Sequence, residues 1–505
     1  MGAAAQVQET LELVKKALKA PSDALSKSIT TDTGLVAYDL QAPSKNLYPV
    51  NTPLRNRINR VGGGTGKATN WNVVSAINGS GYDTMGWVPE GQRSGTMSYT
   101  TALKSASYVT LGEEDKVTYE ARNAGQGYED VQATMVMRLL QKAMLKEENG
   151  ILGGNASLAL GTTPTPTTGA SGAGGTLPTL TYDVACIALT YEGYRNLLAA
   201  GSLAAPVSAL SSQVITGADA QTFTLNSGAA QKSAVATQAI TLGQNLTATV
   251  TQVRGAVAYA WFIGAAGVSR LEAITTINSL SFSTALLGTG VLLSAITAAD
   301  YSRNQSLAFD GLLTTTFNAG NNAYFKALPT GTAGTGTALT ASGRGSINEI
   351  DTMLRALWDQ FQVSPTVIFV NSQELLNITA KVLTNGSGPL LQYFADPQKG
   401  AQVIAAGGGI EFYFNPFGMG GGFKIPIMIH PFVPAGTIIG WCENLPLQYQ
   451  SNNVPNVAEV HTRADYYQIN WPITTRAQGV GVYMEEVLAV YAPFAMAVIT
   501  NIANG

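Results

Sequence analysis

Apolar positions recur along this chain in two rhythms, one helical and one extended. Val7, Leu11, Val14 and Leu18 stand at spacings of four and three with Glu and Lys between them, which predicts a short amphipathic helix ended by Pro21. Such a helix serves either as a docked terminal element or as a partner-binding arm. From Ala68 to Leu111 the rhythm becomes alternation: Trp71, Val73, Ser75 and Ile77, then Met97, Tyr99, Thr101, Leu103 and Ser105 on to Val109 and Leu111. Two long strands follow from it. Between them Asn78-Gly79-Ser80-Gly81, Gly86 and Pro89 supply turn residues for a wide loop that exposes Tyr82 and Trp87, with Glu90 and Arg93 beside them. A projecting apolar hairpin that its own domain does not cover needs another subunit to pack on. The strongest helical pattern runs from Tyr128 to Glu148, with Val131, Met135, Leu139, Ala143 and Met144 on one face, and Asn149-Gly150 is expected to stop it.

Gly161 to Thr176 contains only Gly, Thr, Pro, Ala and Ser, and Pro329 to Gly345 is similar, so both read as linkers or surface loops. Between Leu177 and Gly290 charge is sparse and strand patterns dominate, as in Gln221-Thr-Phe-Thr-Leu225 and Asn245-Leu-Thr-Ala-Thr-Val-Thr251. That shift marks an inserted β domain. Val257-Ala-Tyr-Ala-Trp-Phe-Ile263 resembles the immunoglobulin-like strand that carries a core Trp, here Trp261, although the sandwich disulfide is missing. Ser346-x-x-Glu349 and Asn371-x-x-Glu374 read as capping boxes on two helices flanking the apolar run Thr366-Val-Ile-Phe-Val370, which together make an α/β unit. From Gly409 onward the chain is strand-rich with Gly and Pro turns.

The 505 residues suffice for several domains, but only 12% are charged, against an average of about 25%. A net charge of −3 leaves no basic footprint for wrapping nucleic acid. Cys186 and Cys442 are the only cysteines, too few for a disulfide framework or a metal motif. The first residues carry no export or acylation signal, and the most apolar stretch, Val487 to Ile499, contains Pro493 and falls short of the ~20 residues that span a bilayer. A soluble protein is expected, with no membrane partner. Gly62-Gly-Gly-Thr-Gly-Lys67 fails as a phosphate loop, because Val61 and Ala68 stand where Gly and Ser or Thr are required and a strand follows, so a flexible hinge is expected. With only His430 and His461 and no Gly-x-Ser-x-Gly elbow, no catalytic residue is assigned. His461, Arg463 and Asp465 alternate on a strand and read as ion pairs, and neither a metal nor a cofactor is expected. Glu113, Glu114 and Asp115, and the pair Glu147-Glu148, read as solvated faces or ion pairs rather than acid–base machinery. Arg55, Arg57 and Arg60 could touch phosphate or a neighbouring subunit's carboxylates, the subunit contact being favoured.

The order of parts is specific: arm, projecting hairpin, long helix ending Glu147-Glu148-Asn-Gly-Ile-Leu-Gly-Gly154, α/β unit and strand-rich return. It resembles a tailed-phage major capsid protein of the Hong Kong 97 fold, α+β in class, with an inserted β-sandwich. The resemblance implies an amino-terminal arm over 1–60, an extended-loop hairpin over 61–116 and a spine helix of the peripheral domain over 117–152. An axial domain over 153–176 and 291–450 would follow, interrupted by the immunoglobulin-like insertion at 177–290, with closing peripheral strands over 451–505. Tyr301-x-x-Asn304 and Phe309-Asp-Gly-Leu-Leu313 would mark the return from the insertion, and Met484-Glu-Glu-Val-Leu488 and Tyr491-Ala-Pro-Phe494 the closing strands. It further implies a structural role, not an enzymatic one. Identical subunits would form hexamers and pentamers around double-stranded DNA enclosed non-specifically, with a portal, a separate scaffolding protein or none, and a possible decoration protein on the insertion. The place would be the virion shell, assembled in the host cytoplasm. Some relatives crosslink a Lys to a neighbour's Asn; Lys67 and Lys104 lie in or near the hairpin, but no motif fixes partners. An encapsulin-type compartment shell shares the fold. A secreted adhesin or surface-layer protein would call for an export signal, and a β-rich enzyme for a cluster of functional groups.

Overall fold

The computed structural model describes residues 47–80, 85–126, 129–342, 345–384, 392–395, 402–405, 410–418, 422–446, 456–473 and 475–503. The helix expected before Pro21, Tyr82 in the hairpin loop and Tyr128 at the expected helix start lie outside them. The chain divides into two compact units, 1–48 with 119–134, and 49–118 with 135–505. The first contributes the short helix α1 (Tyr119–Gly125) and the opening turn of α2 (Val131–Gly153). Asp130 starts α2 by accepting from the N–H groups of Gln132 and Ala133, each at 3.1 Å, which satisfies two otherwise orphaned donors.

In the larger unit β1 (Asn59–Val61) leads through the glycine-rich turn into the hairpin β2 (Ala68–Asn78) and β3 (Ser98–Ser107), and then β4 (Val109–Thr118). The turn is a fixed bend: Gly64 N–H donates to the Thr462 carbonyl at 3.0 Å, and Arg463 donates to the Gly66 carbonyl at 2.9 Å. Gly63 and Gly66 hold φ of 83° and 74°, the left-handed region that explains their identity.

Helix α2 runs past the expected stop at Asn149-Gly150. Its last turn is core: Ile151 and Leu152 are fully buried, and a Cβ on Gly153 would sit 2.4 Å from the Tyr191 ring. Asn149 does not cap. It donates to the Leu145 carbonyl at 2.7 Å and accepts from the Tyr191 hydroxyl at 2.6 Å. Burial of this turn outweighs the local stop signal.

The next strands are β5 (Thr167–Gly175), β6 (Leu180–Leu189), β7 (Ser212–Thr216), β8 (Thr222–Asn226), β9 (Ala236–Ile240), β10 (Gly243–Thr249), β11 (Ala258–Ala265), β12 (Arg270–Thr275) and β13 (Ser279–Phe282), with helix α3 (Tyr191–Ala199) after β6. A three-stranded sheet, β13-β10-β5, faces a four-stranded one, β12-β11-β6-β9. β7 and β8 form a separate hairpin. The first expected linker is therefore mostly strand β5, whose Thr and Gly residues pair antiparallel with β10. Tyr259, Trp261 and Ile263 fill the space between the sheets, and the Trp261 indole N–H donates to Thr275 Oγ1 at 2.8 Å. Cys186 lies opposite Trp261 as a free thiol. The other face of the four-stranded sheet is also covered: Ala258, Ala260 and Phe262 pack with Leu197 of α3 and Leu210. A free-standing sandwich would leave that face wet. Here Tyr191 and Val257 belong to the main core, so the sandwich is fused to the body and begins before residue 177.

The remainder comprises α4 (Leu312–Phe317), β14 (Tyr324–Ala327), α5 (Asn348–Phe361), β15 (Val367–Val370), α6 (Ser372–Thr384), the hairpin β16 (Gln392–Ala395) and β17 (Gln402–Ala405), then β18 (Phe412–Asn415), β19 (Phe423–Ile429), β20 (Ile438–Trp441), β21 (Ala458–Asn470), β22 (Ala477–Val490) and β23 (Met496–Thr500). A mixed six-stranded sheet has the order β14-β23-β20-β15-β19-β18. Ile350, Leu354 and Leu357 of α5 and Ile378 of α6 cover one face. The other face, with Phe369 and Trp441, meets Ile151 and Leu152 of α2. The second expected linker also contributes to the core through Leu339, 2% exposed. A second sheet, β1-β21-β22-β4, holds the long closing strands. The last strand leaves them: β23 sits inside the six-stranded sheet, between β14 and β20, because all five of its residues are buried. The first capping box does not form, and the second forms by half: Asn371 Oδ1 accepts from Gln373 N–H at 3.0 Å at the start of α6, while Glu374 turns away. Ile347, not Ser346, precedes α5, Glu349 accepts from Thr340 N–H at 2.9 Å, and Glu374 is drawn to Gly436 N–H at 3.0 Å.

Candidate functional site

Two regions stand out chemically, the hairpin and the junction where segment 49–61 meets the end of α2. Among the described residues β2 and β3 pair only with each other. Their register slips at Ser75: Val74 faces Thr101, and Ala76 then faces Thr100. This bulge moves Ile77 off the face of Trp71 and Val73, where simple alternation puts it. Ile77 instead pairs with Tyr99, on the same face as Val74 and Leu103. These four are 56–70% exposed, and Trp87 in the loop is 92% exposed. Glu90 and Arg93 are exposed in the same loop. At the hairpin's root the Trp71 ring meets Tyr491 edge-on at 5.3 Å.

The junction is the opposite. Glu147 and Glu148 point inward with fully buried side chains. Glu147 accepts from Arg55 Nε at 2.6 Å, from Arg60 and from the Tyr466 hydroxyl. Glu148 accepts from the N–H groups of Leu54 at 2.9 Å and Arg55 at 2.7 Å, and meets His430 Nε2 at 2.7 Å. His430 Nδ1 accepts from Phe432 N–H at 3.2 Å, which places the ring proton on Nε2, aimed at Glu148. Arg60 also reaches Asp465 at 2.7 Å and Glu486 at 3.4 Å. Burial, then the neighbouring Glu147, pushes the Glu486 carboxyl up to about 8. Burial also acts on Asp465, but its hydrogen bond to Arg60 wins and holds it below the usual carboxylate value.

Arg55 and Arg60 pair with buried Glu147 within the chain, and Arg57, about a third exposed, pairs with Glu443 at 2.8 Å. The acidic partners of Arg55 and Arg60 lie 87 to 426 positions away, beyond the reach of any local pattern. One signal was available: two acids at the C-terminal end of a helix oppose its dipole and require nearby cations. His461, Arg463 and Asp465 each pair with an oppositely charged or ionisable group as expected, but each with a different one, His461 lying 3.6 Å from Glu459. His461 Nε2 bonds the Tyr491 hydroxyl at 2.6 Å, Arg463 pairs with Glu485 at 2.5 Å, and Asp465 serves Arg60. Glu113 pairs with Lys146, Glu114 accepts from the Tyr483 hydroxyl, and Asp115 turns to the N–H of Lys116. Among the described residues no three His, Cys, Asp or Glu side chains are grouped to hold a metal ion, and no helix is long and apolar enough to cross a membrane.

No protein-family model matches the chain, and no curated protein matches it. Solved structures do. The capsid of a native GTA particle is similar over 94% of this chain and 99% of its own, at 9% identity and a TM-score of 0.42. A structure of Mycobacterium phage Bobi is similar over 94% and 97%, at 8% identity and a TM-score of 0.38. The holo-SrpI encapsulin complex from Synechococcus elongatus PCC 7942 is similar over 91% and 93%, at 9% identity and a TM-score of 0.37. These are likenesses of fold.

Proposed function

We propose that this chain is the repeating shell subunit of a tailed-phage head, a structural protein that assembles into hexamers and pentamers around double-stranded DNA. The observation that carries the reading is the hairpin. Val74, Ile77, Met85, Trp87, Met97, Tyr99 and Leu103 are each more than half exposed on it. At roughly 100–200 Å² per side chain they offer on the order of 800 Å², one partner's share of a standard interface. A hairpin that binds a different patch on the next copy makes a head-to-tail contact, and repetition of such a contact closes rings. The low charge content suits extensive close-packed contacts. A portal, a separate scaffold and a decoration protein on the sandwich are the partners this role calls for, within a virion assembled in the host cytoplasm; it requires neither a cofactor nor catalysis.

Size-exclusion chromatography with negative-stain microscopy tests the reading. Wild-type chain should give rings or closed shells, and Trp87→Ala should weaken them. Nuclease-protected double-stranded DNA inside particles from producing cells supports a phage head, whereas a protein cargo in its place supports a compartment shell.

A further inference from the structure

Three carboxyl groups, Glu147, Asp465 and Glu486, converge on two guanidinium groups, Arg55 and Arg60, at the end of α2, and Glu148 beside them accepts from the Arg55 backbone N–H. Glu147 on α2 and Glu486 on β22 are both fully buried and share Arg60. Glu486 Oε1 is buried and meets no donor among the described residues. An ionised carboxylate would leave that oxygen unsatisfied, whereas a protonated one donates from it. The charged groups acting on Glu486 are Glu147, Arg60 and Asp465, and Arg60 Nε is itself buried with no acceptor among the described residues. Arg60 comes from β1 and Arg55 from the preceding turn, Asp465 and Tyr466 come from β21, and His430 faces Glu148 from beyond β19. Glu485, next on β22, is taken by Arg463.

We propose that Glu486 and Glu147 share one proton, and that this proton latches segment 49–61 onto the end of α2. While it is present, Glu147 receives a hydrogen bond from Glu486 and keeps its charge for Arg55 and Arg60. When it leaves, two adjacent buried carboxylates face each other, the junction loosens, and the N–H groups of Leu54 and Arg55 lose their hold on Glu148.

The direction follows from linkage. Burial and Glu147 raise the Glu486 carboxyl from 4.5 to about 8 in the folded chain, so the closed junction binds a proton that the opened one releases. The latch is therefore fullest below about pH 4.5, weakens as pH rises and levels off above about 8. Asp465, held low, acts only at the acid end, below the window of interest.

Hydrogen exchange on the full chain, corrected for the intrinsic pH dependence of exchange, tests this at Leu54, Arg55 and β1, with β15 and β20 as internal reference. Wild-type protection should fall by up to about tenfold per pH unit between about pH 5.5 and 8, then flatten, with β15 and β20 unchanged. Glu486→Gln keeps a neutral donor toward Glu147 and should abolish the slope. Should that variant fail to fold, Glu147→Gln is expected to move the break in the profile to lower pH. A flat wild-type profile, an unaltered slope in Glu486→Gln, an unmoved break in Glu147→Gln, or a parallel loss in β15 and β20 would overturn the latch. This inference stands independently of the shell reading, since it is read on the chain itself.

Discussion

The hairpin and the junction invert the usual distribution of side chains in opposite ways. On β2 and β3 large apolar groups face solvent, while at the end of α2 carboxylates and guanidinium groups lie in the core. Exposed apolar surface contributes nothing to the stability of the subunit that carries it, so its value is realised only when another surface covers it. Buried charge has the reverse logic: every member depends on its partners, and removing one strands the others. The hairpin is therefore the place where assembly is tested, and the junction the place where the subunit's own integrity is tested.

The largest expected effect on the subunit comes from Glu147→Ala, which leaves Arg55, Arg60 and the Tyr466 hydroxyl without their shared acceptor. A loss of roughly 3–5 kcal/mol is expected, read as a fall in the denaturant midpoint by circular dichroism. His430→Ala should cost less, roughly 1–3 kcal/mol, because Glu148 retains two backbone donors. Arg57→Ala removes a partly exposed pair with Glu443 and should change the same midpoint by about 0–1 kcal/mol. Leu103→Asp on the hairpin should move it least, within about 0.5 kcal/mol, while reducing assembly in sedimentation velocity. A hairpin variant that unfolds the subunit, or a junction variant that leaves its midpoint unchanged, would break the comparison.

The two regions also differ in how far the sequence discloses them. Alternation from Ala68 onward located both hairpin strands, and the heptad-like face of α2 located that helix, because both patterns are local. The bulge at Ser75 was hidden, since one extra residue inverts a face without altering composition. β5 was hidden for a different reason: a Gly and Thr run reads as linker until a partner strand, β10, supplies its hydrogen bonds. At the junction, Arg55, Arg57 and Arg60 were visible as a cluster, but their partners on α2, β21, β22 and beyond β20 meet them only in the folded chain. Exposed periodic surface is thus legible from spacing, and buried long-range charge pairing is not.

The most direct test of the account is sedimentation velocity combined with electron microscopy on wild-type chain and on Ile77→Asp/Leu103→Asp, which charges the apolar face without touching the junction. The account predicts rings or closed shells for the wild type and a folded, non-assembling subunit for the variant. A wild type that stays monomeric at every salt and protein concentration, or a variant that assembles as well as the wild type, would contradict it.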